Sequence, residues 1–265
     1  MTICIAAISE KKKVVSITDK MLTLEEPVRT TYEISDNNKV IPLNDTVVAL
    51  FAGDVIHANE ILELAKQNLV ALTPVSVREI AEIVNQAFSQ YWENLINNFL
   101  QRRFKISHQQ FMHNQGSFDG DLVKQISQII AGTKIGVEIV VAGVHGEDEN
   151  AHIFTMDHMG TVVSQDPIGY ACIGSGSRHA TLSLIESEIS NQTVEEETLF
   201  ALLKAKRRAE YDPGVGKLCD IVVVRDSVVK FTEAQVKQAT TDFDSFISEQ
   251  NKAQKKAVKE LKKLC

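Results

Sequence analysis

Thr2 carries a side-chain hydroxyl and, once Met1 is removed, a free α-amine on the same residue. A hydroxyl is a poor nucleophile at neutral pH and needs a base within hydrogen-bond reach. A terminal amine, with a pKa of about 7.7 to 8.0, is well matched to that task. Threonine is small enough for ordinary methionine excision, and no propeptide is expected ahead of it, so loss of Met1 alone would expose both groups. The competing reading is a β-branched residue that starts a strand behind a retained Met1. Other stretches with chemical potential follow: T-D at Asp19, NNKVIPL around Lys39, FAGD around Gly53, IGSGS with Ser175, and YDPGVGKLCD with Asp212. The Gly-Ser turn is a weak candidate for a phosphate cradle, because neither a P-loop lysine nor a G-x-G-x-x-G continuation follows it. His108, His113, His145 and His152 show neither H-x-x-x-H nor H-E-x-x-H spacing, so neither a metal nor a cofactor is expected.

The elements around these residues read in a definite order. Runs at 2–8 and 14–18 are β-rich and separated by the polar SEKKK turn, which predicts a hairpin. Further strands are expected at 46–52, 137–142, 152–156, 170–173 and 220–225, the last apolar on both faces and so buried from two sides. Helical patterns occupy 55–71 and a long stretch from Ser76, where Ser76 and Glu79 form a capping-box signature. Two more occupy 178–190 and 194–211, the second with Glu195, Glu196 and Glu197 near its start, where the helix dipole favours acids. Strands that need cover on both faces, with helices supplied in pairs, predict an α+β fold of two stacked sheets between helical layers.

With 265 residues, 44% of them hydrophobic, the chain has ample material for one well-buried domain. That domain is expected over residues 1–235, with a polar insertion at about 101–134 that partly returns to helix. A polar, basic helical tail is expected over 236–265; its lysines (Lys252, Lys255, Lys256, Lys259, Lys262, Lys263) read as a solvated face rather than a dock for an acidic partner. A net charge of -7 argues against binding nucleic acid. Cys4, Cys172, Cys219 and Cys265 lie far apart, which fits a reducing compartment. The apolar ICIAAI start is too short for a signal peptide and precedes its lysines, so no membrane anchor is expected and a cytoplasmic location is.

The quoted stretches, in their order and over roughly residues 2–230, resemble a proteasome β-type subunit or the HslV peptidase, both N-terminal-nucleophile hydrolases. The resemblance implies a four-layer αββα sandwich and threonine-type amide hydrolysis, with peptides as the expected substrates. It implies Thr2 as nucleophile, Lys39 as a buried ammonium favouring the alkoxide, and Asp19 as the partner of that charge. Gly53 would offer its N–H to an oxyanion, while Ser175 and Asp212 would support the α-amine. Phe51 and Val55 would line the substrate pocket, with the Phe51 ring on the same strand face as Gly53. A homo-oligomer is implied as well, with a ring as one form of it and an ATPase partner left open.

Four features depart from the family pattern. Val215 stands where many members carry a hydroxyl residue three places after the late Asp, Ile3 replaces a second Thr, the SEKKK turn is one residue longer, and the interval from Asp19 to Lys39 is long. On this reading Val215 leaves the amine one hydrogen bond short, and Val215→Ser is expected to raise activity. The alternatives are a catalytically silent scaffold of the same fold and a small-molecule amidase.

Overall fold

The computed structural model describes residues 2–24, 30–34, 38–146, 149–157 and 160–262. Met1, Lys263 and Cys265 lie outside them. The chain opens with β1 (Cys4–Ser9), β2 (Lys13–Asp19), β3 (Met21–Leu24), β4 (Thr30–Glu33), β5 (Val40–Pro42) and β6 (Val47–Gly53). Helices α1 (Val55–Leu72), α2 (Val77–Phe104), α3 (His108–His113) and α4 (Gly120–Gly132) follow. Next come β7 (Val137–Val144), β8 (Ala151–Met156), β9 (Val162–Ser164) and β10 (Tyr170–Ile173). The remainder is α5 (Ser177–Glu186), α6 (Glu195–Ala209), β11 (Cys219–Val224), β12 (Val228–Lys230) and α7 (Glu233–Leu261).

Two antiparallel sheets dominate, one in the order β10-β1-β2-β11-β12 and one in the order β5-β6-β7-β8-β9. Strand alternation explains how they stack. In β1, Cys4, Ala6 and Ile8 meet Val48, Leu50 and Ala52 of β6 in an apolar layer between the sheets. Ile5 and Ala7 face the other way, into a cluster with Ala180 and Leu184 of α5 and Leu202 and Ala205 of α6. Val47, Ala49 and Phe51 of β6 likewise face outward, against α1 and α2. Burial on both faces is why these strands read as unbroken apolar runs. The result is the expected four-layer αββα sandwich, whose innermost layer is sheet against sheet.

Local chemistry sets the boundaries. Ser76 accepts from Glu79 N at 3.2 Å and so caps α2, but the Glu79 carboxylate reaches Val75 N at 2.8 Å instead of returning to Ser76, so only half of the expected capping box forms. In α6 the three glutamates of the first turn are balanced by Lys206, Arg207 and Arg208 in the last, complementing the dipole at both ends.

Two expectations change. The stretch 101–134 is helical for most of its length: α2 runs on to Phe104, and α3 and α4 fold back on it. Ile96, Leu100, Phe111 and Ile126 give this excursion a small core of its own, and Trp92 Nε1 donates to Thr133 O at 3.0 Å. The boundary expected at 235 falls inside α7, which starts at Glu233. The first half of α7 docks on the body: Phe243 is buried and stacks edge-on against Phe200 of α6. The short strands β3, β4, β9 and β12 were not anticipated, since three or four residues give too little alternation to read.

Phe111 is fully buried in the excursion's separate core. Phe111→Ala is expected to cost this subdomain about 3–5 kcal/mol. Hydrogen exchange should quicken over 105–132 while the β1 and β2 amides stay protected; uniform quickening across the chain would contradict a separate core.

Candidate functional site

The β1–β2 ladder runs to Cys4 opposite Thr18, and Asp19 N then donates to Ile3 O at 3.1 Å. That one extra bond carries Asp19 to the side of Thr2. Lys39 arrives from the other sheet, immediately before β5, where its carbonyl accepts from Phe51 N at 3.2 Å. Thr2, Asp19 and Lys39 are all buried, at 3%, 0% and 3% exposure, so water contributes little to solvating the two charges. They solvate each other instead. Lys39 Nζ stands 2.6 Å from Asp19 Oδ1 and also donates to Thr2 Oγ1. Thr2 Oγ1 in turn donates to Asp19 Oδ1, which closes a triangle. Backbone donors complete the carboxylate's shell: Ile3 N reaches Oδ1 at 3.1 Å and Gly216 N reaches Oδ2 at 2.9 Å. A buried ion pair is tolerable only with such additional hydrogen bonds.

A cavity of about 470 Å³ opens on Thr2, walled by Gly53, Lys134, Gly136, Glu138, Gly174 and Ser175 among others. Gly53 is a backbone requirement: its φ is +109°, and a Cβ there would fall 1.9 Å from Gly136 O. Gly174 is another, with φ +93° and room for a Cβ only 2.4 Å from Thr2 O. The turn it begins holds Thr2 in place, since Gly176 N donates to Thr2 O at 3.3 Å. Ser175 Oγ donates to Asp212 Oδ1 at 3.2 Å, and Gly214 N donates to the same oxygen at 2.9 Å. All six residues singled out in the sequence (Thr2, Asp19, Lys39, Gly53, Ser175, Asp212) therefore sit at or beside one cavity.

The pocket residues do not. The Phe51 ring is 1% exposed and lies in the apolar cluster under α1 and α2, and Val55 packs against that same cluster. Phe51 and Gly53 share strand parity, but odd positions of β6 face the helices, and Gly53 leaves extended geometry; Ala52 and Gly53 form the cavity wall instead. Val215 is also a packing residue, 6% exposed in the cluster that holds Ile3. Two of the departures from the family pattern, Val215 and Ile3, thus share one apolar cluster, where a serine hydroxyl would be placed among methyl groups. This removes the ground for expecting Val215→Ser to raise activity.

Three contributors were missed. Gly216 and Ile3 act through backbone N–H groups, which residue types do not advertise. Glu138 reaches across from β7, and its Oε2 accepts from Gly174 N at 2.7 Å. Cys4, next to the site, donates through Sγ to Phe51 O at 3.1 Å. Burial pushes its thiol pKa well up, against the opposing pull of Lys39, so it does not compete as a nucleophile. The histidines serve locally: His152 Nδ1 lies 2.9 Å from Asp166 Oδ2, and His145 Nε2 is 3.0 Å from Pro74 O. Among the described residues no group of three or more His, Cys, Asp or Glu could hold a metal ion.

Comparison with known proteins bears on the same arrangement. The family model for proteasome subunits matches residues 120–224. Proteasome subunit beta 2 of Pyrobaculum neutrophilum is 32% identical over 99 residues, 37% of this chain and 46% of that protein. Proteasome subunit beta 1 of Korarchaeum cryptofilum is 35% identical over 95 residues, 36% of this chain and 43% of that protein. Over part of its length the chain is similar to proteasome β-type subunits. It spans less than half the length of the curated relatives it matches. That similarity is in keeping with the αββα sandwich, the architecture of the N-terminal-nucleophile hydrolases.

The Asp19–Lys39 pair should dominate the local energetics. Asp19→Asn leaves the Lys39 ammonium buried without its counter-charge, at an expected cost of about 3–5 kcal/mol. Adding Lys39→Met should recover most of that loss in urea unfolding. A double variant no more stable than Asp19→Asn would contradict the pairing.

Proposed function

We propose that the chain is a threonine-type amide hydrolase acting on peptides, with Thr2 as nucleophile after removal of Met1. The observation that carries this reading is the Thr2 hydroxyl held between the Lys39 ammonium and the Asp19 carboxylate at the base of a cavity. The α-amine takes the hydroxyl proton as Oγ1 bonds to the scissile carbonyl carbon, and the Lys39 charge favours the developing alkoxide. The oxyanion forms beside the Gly53 backbone, where the lack of a side chain permits close approach. The leaving amine departs with the transferred proton, and water, deprotonated by the same α-amine, releases the acyl group. The Ser175–Asp212 pair steadies the amine's surroundings.

One observation favours a second reading. Val215 and Ile3 both pack in the apolar cluster beneath α5 and α6, so position 215 offers no hydroxyl to support the amine, which fits a subunit that keeps Met1 and serves as a scaffold. The amidase alternative has no such support. A cytoplasmic homo-oligomer is part of the proposal, with a ring as one form of it. Val70, Leu72 and Val75, where α1 turns into α2, are exposed at 84, 56 and 68%, which suits a subunit contact.

Hydrolysis of fluorogenic peptide amides tests the proposal. Thr2→Ala should abolish turnover, and Lys39→Ala should lower kcat by about 10² to 10³ with the fold intact by circular dichroism. Loss expressed only in KM would contradict the role given to Lys39.

A further inference from the structure

A second cavity, of about 910 Å³, lies between α6, the first half of α7 and the β11–β12 edge, and shares no wall residue with the Thr2 cavity. Its floor is apolar, built by Leu203, Phe231, Val236 and Phe243. Among the described residues its wall carries six cationic side chains, Lys20, Lys206, Arg207, Lys217, Lys230 and Lys237, against four carboxylates. Those carboxylates are Glu210, Asp220, Glu233 and Asp244.

Most of the charges are spoken for. Lys206 pairs with Glu210 at 2.5 Å, Arg207 with Glu210 at 2.8 Å and Asp244 at 2.5 Å, and Lys20 and Lys230 each with Asp220 at 3.2 Å. Lys217 and Lys237 form no ion pair with a described residue. A chain of net charge -7 thus keeps a cleft with a surplus of cations above an apolar floor. Such a cleft concentrates anions, and its floor rewards an apolar body rather than a hydrated inorganic ion. We propose that this cavity binds a small organic anion, carboxylate or phosphate at its head and apolar behind it.

Its position ties it to the catalytic centre. Lys20 follows Asp19, Asn38 precedes Lys39 and Lys217 follows Gly216, so each of the three segments that build the Asp19–Lys39 pair supplies its neighbouring residue to this second wall. A bound anion that engages Lys217 restrains the backbone that donates Gly216 N to Asp19.

The anionic naphthalene dye 8-anilinonaphthalene-1-sulfonate is a suitable probe of the full chain. Its fluorescence should rise saturably, and the double variant Lys217→Glu, Lys237→Glu should weaken its binding by at least roughly tenfold. Both lysines are exposed, so the variant should fold, which circular dichroism verifies. Decanoate and phenyl phosphate should each be tried as competitors; displacement by either supports the proposal, and the stronger identifies the head group. Hydrogen exchange should slow at Gly216 and over 236–243 when the dye binds. Undiminished binding by the double variant, displacement by inorganic phosphate as effective as by decanoate, or protection confined to other segments would each overturn it. None of these readouts needs peptidase activity, so the outcome is independent of the role given to Thr2.

Discussion

Asp19 keeps a carboxylate away from water because four donors converge on its two oxygens: the Thr2 hydroxyl, the Lys39 ammonium, and the N–H groups of Ile3 and Gly216. These come from different parts of the fold. Ile3 stands immediately before β1 and Asp19 ends β2 of one sheet, Lys39 precedes the edge strand of the other, and Gly216 lies in the loop entering β11. The carboxylate therefore ties the open ends of the two sheets together. Each donor it lost would leave buried charge less compensated, and in a low-dielectric interior that penalty is steep. The architecture around the site follows from this need: β5 has to deliver Lys39, and the Asp212–Gly216 loop has to present a bare backbone amide.

Glycines complete the frame by absence. Gly53 and Gly174 stand at the ends of strands from opposite sheets, each so close to backbone that any side chain would collide. Between them they leave the approach to Thr2 open while the helical layers keep the rest of the core sealed. Glu138, exposed on β7, spans the mouth to hold the Gly174 amide, so the turn that seats Thr2 is anchored in both sheets.

Much of this was legible in the chain itself. Two-sided burial turns strands into continuous apolar runs, which is why β1, β2, β6, β7 and β11 could be placed within a residue or two of their observed bounds. Side chains with titratable or nucleophilic groups announced themselves, and the residues expected to act together do meet at one cavity. What stayed hidden is physical in kind. Gly216 works through an amide that every residue but proline possesses. The excursion over 101–134 hides its core because Phe111 and Ile126 are dispersed among polar residues and find Ile96 and Leu100 only after the chain folds back. Phe51 was placed by strand parity together with the resemblance, and parity says which residues share a face without saying what that face meets.

The central claim is that Thr2, free at its amine and held by Asp19 and Lys39, is a nucleophile. Intact mass spectrometry of protein purified from its native host, before and after treatment with a β-lactone or epoxyketone, tests it most directly. The account predicts a chain lacking Met1 that gains one adduct, mapped to Thr2, and gains none when Lys39 is replaced by Ala. A chain that retains Met1 and stays unmodified would contradict it.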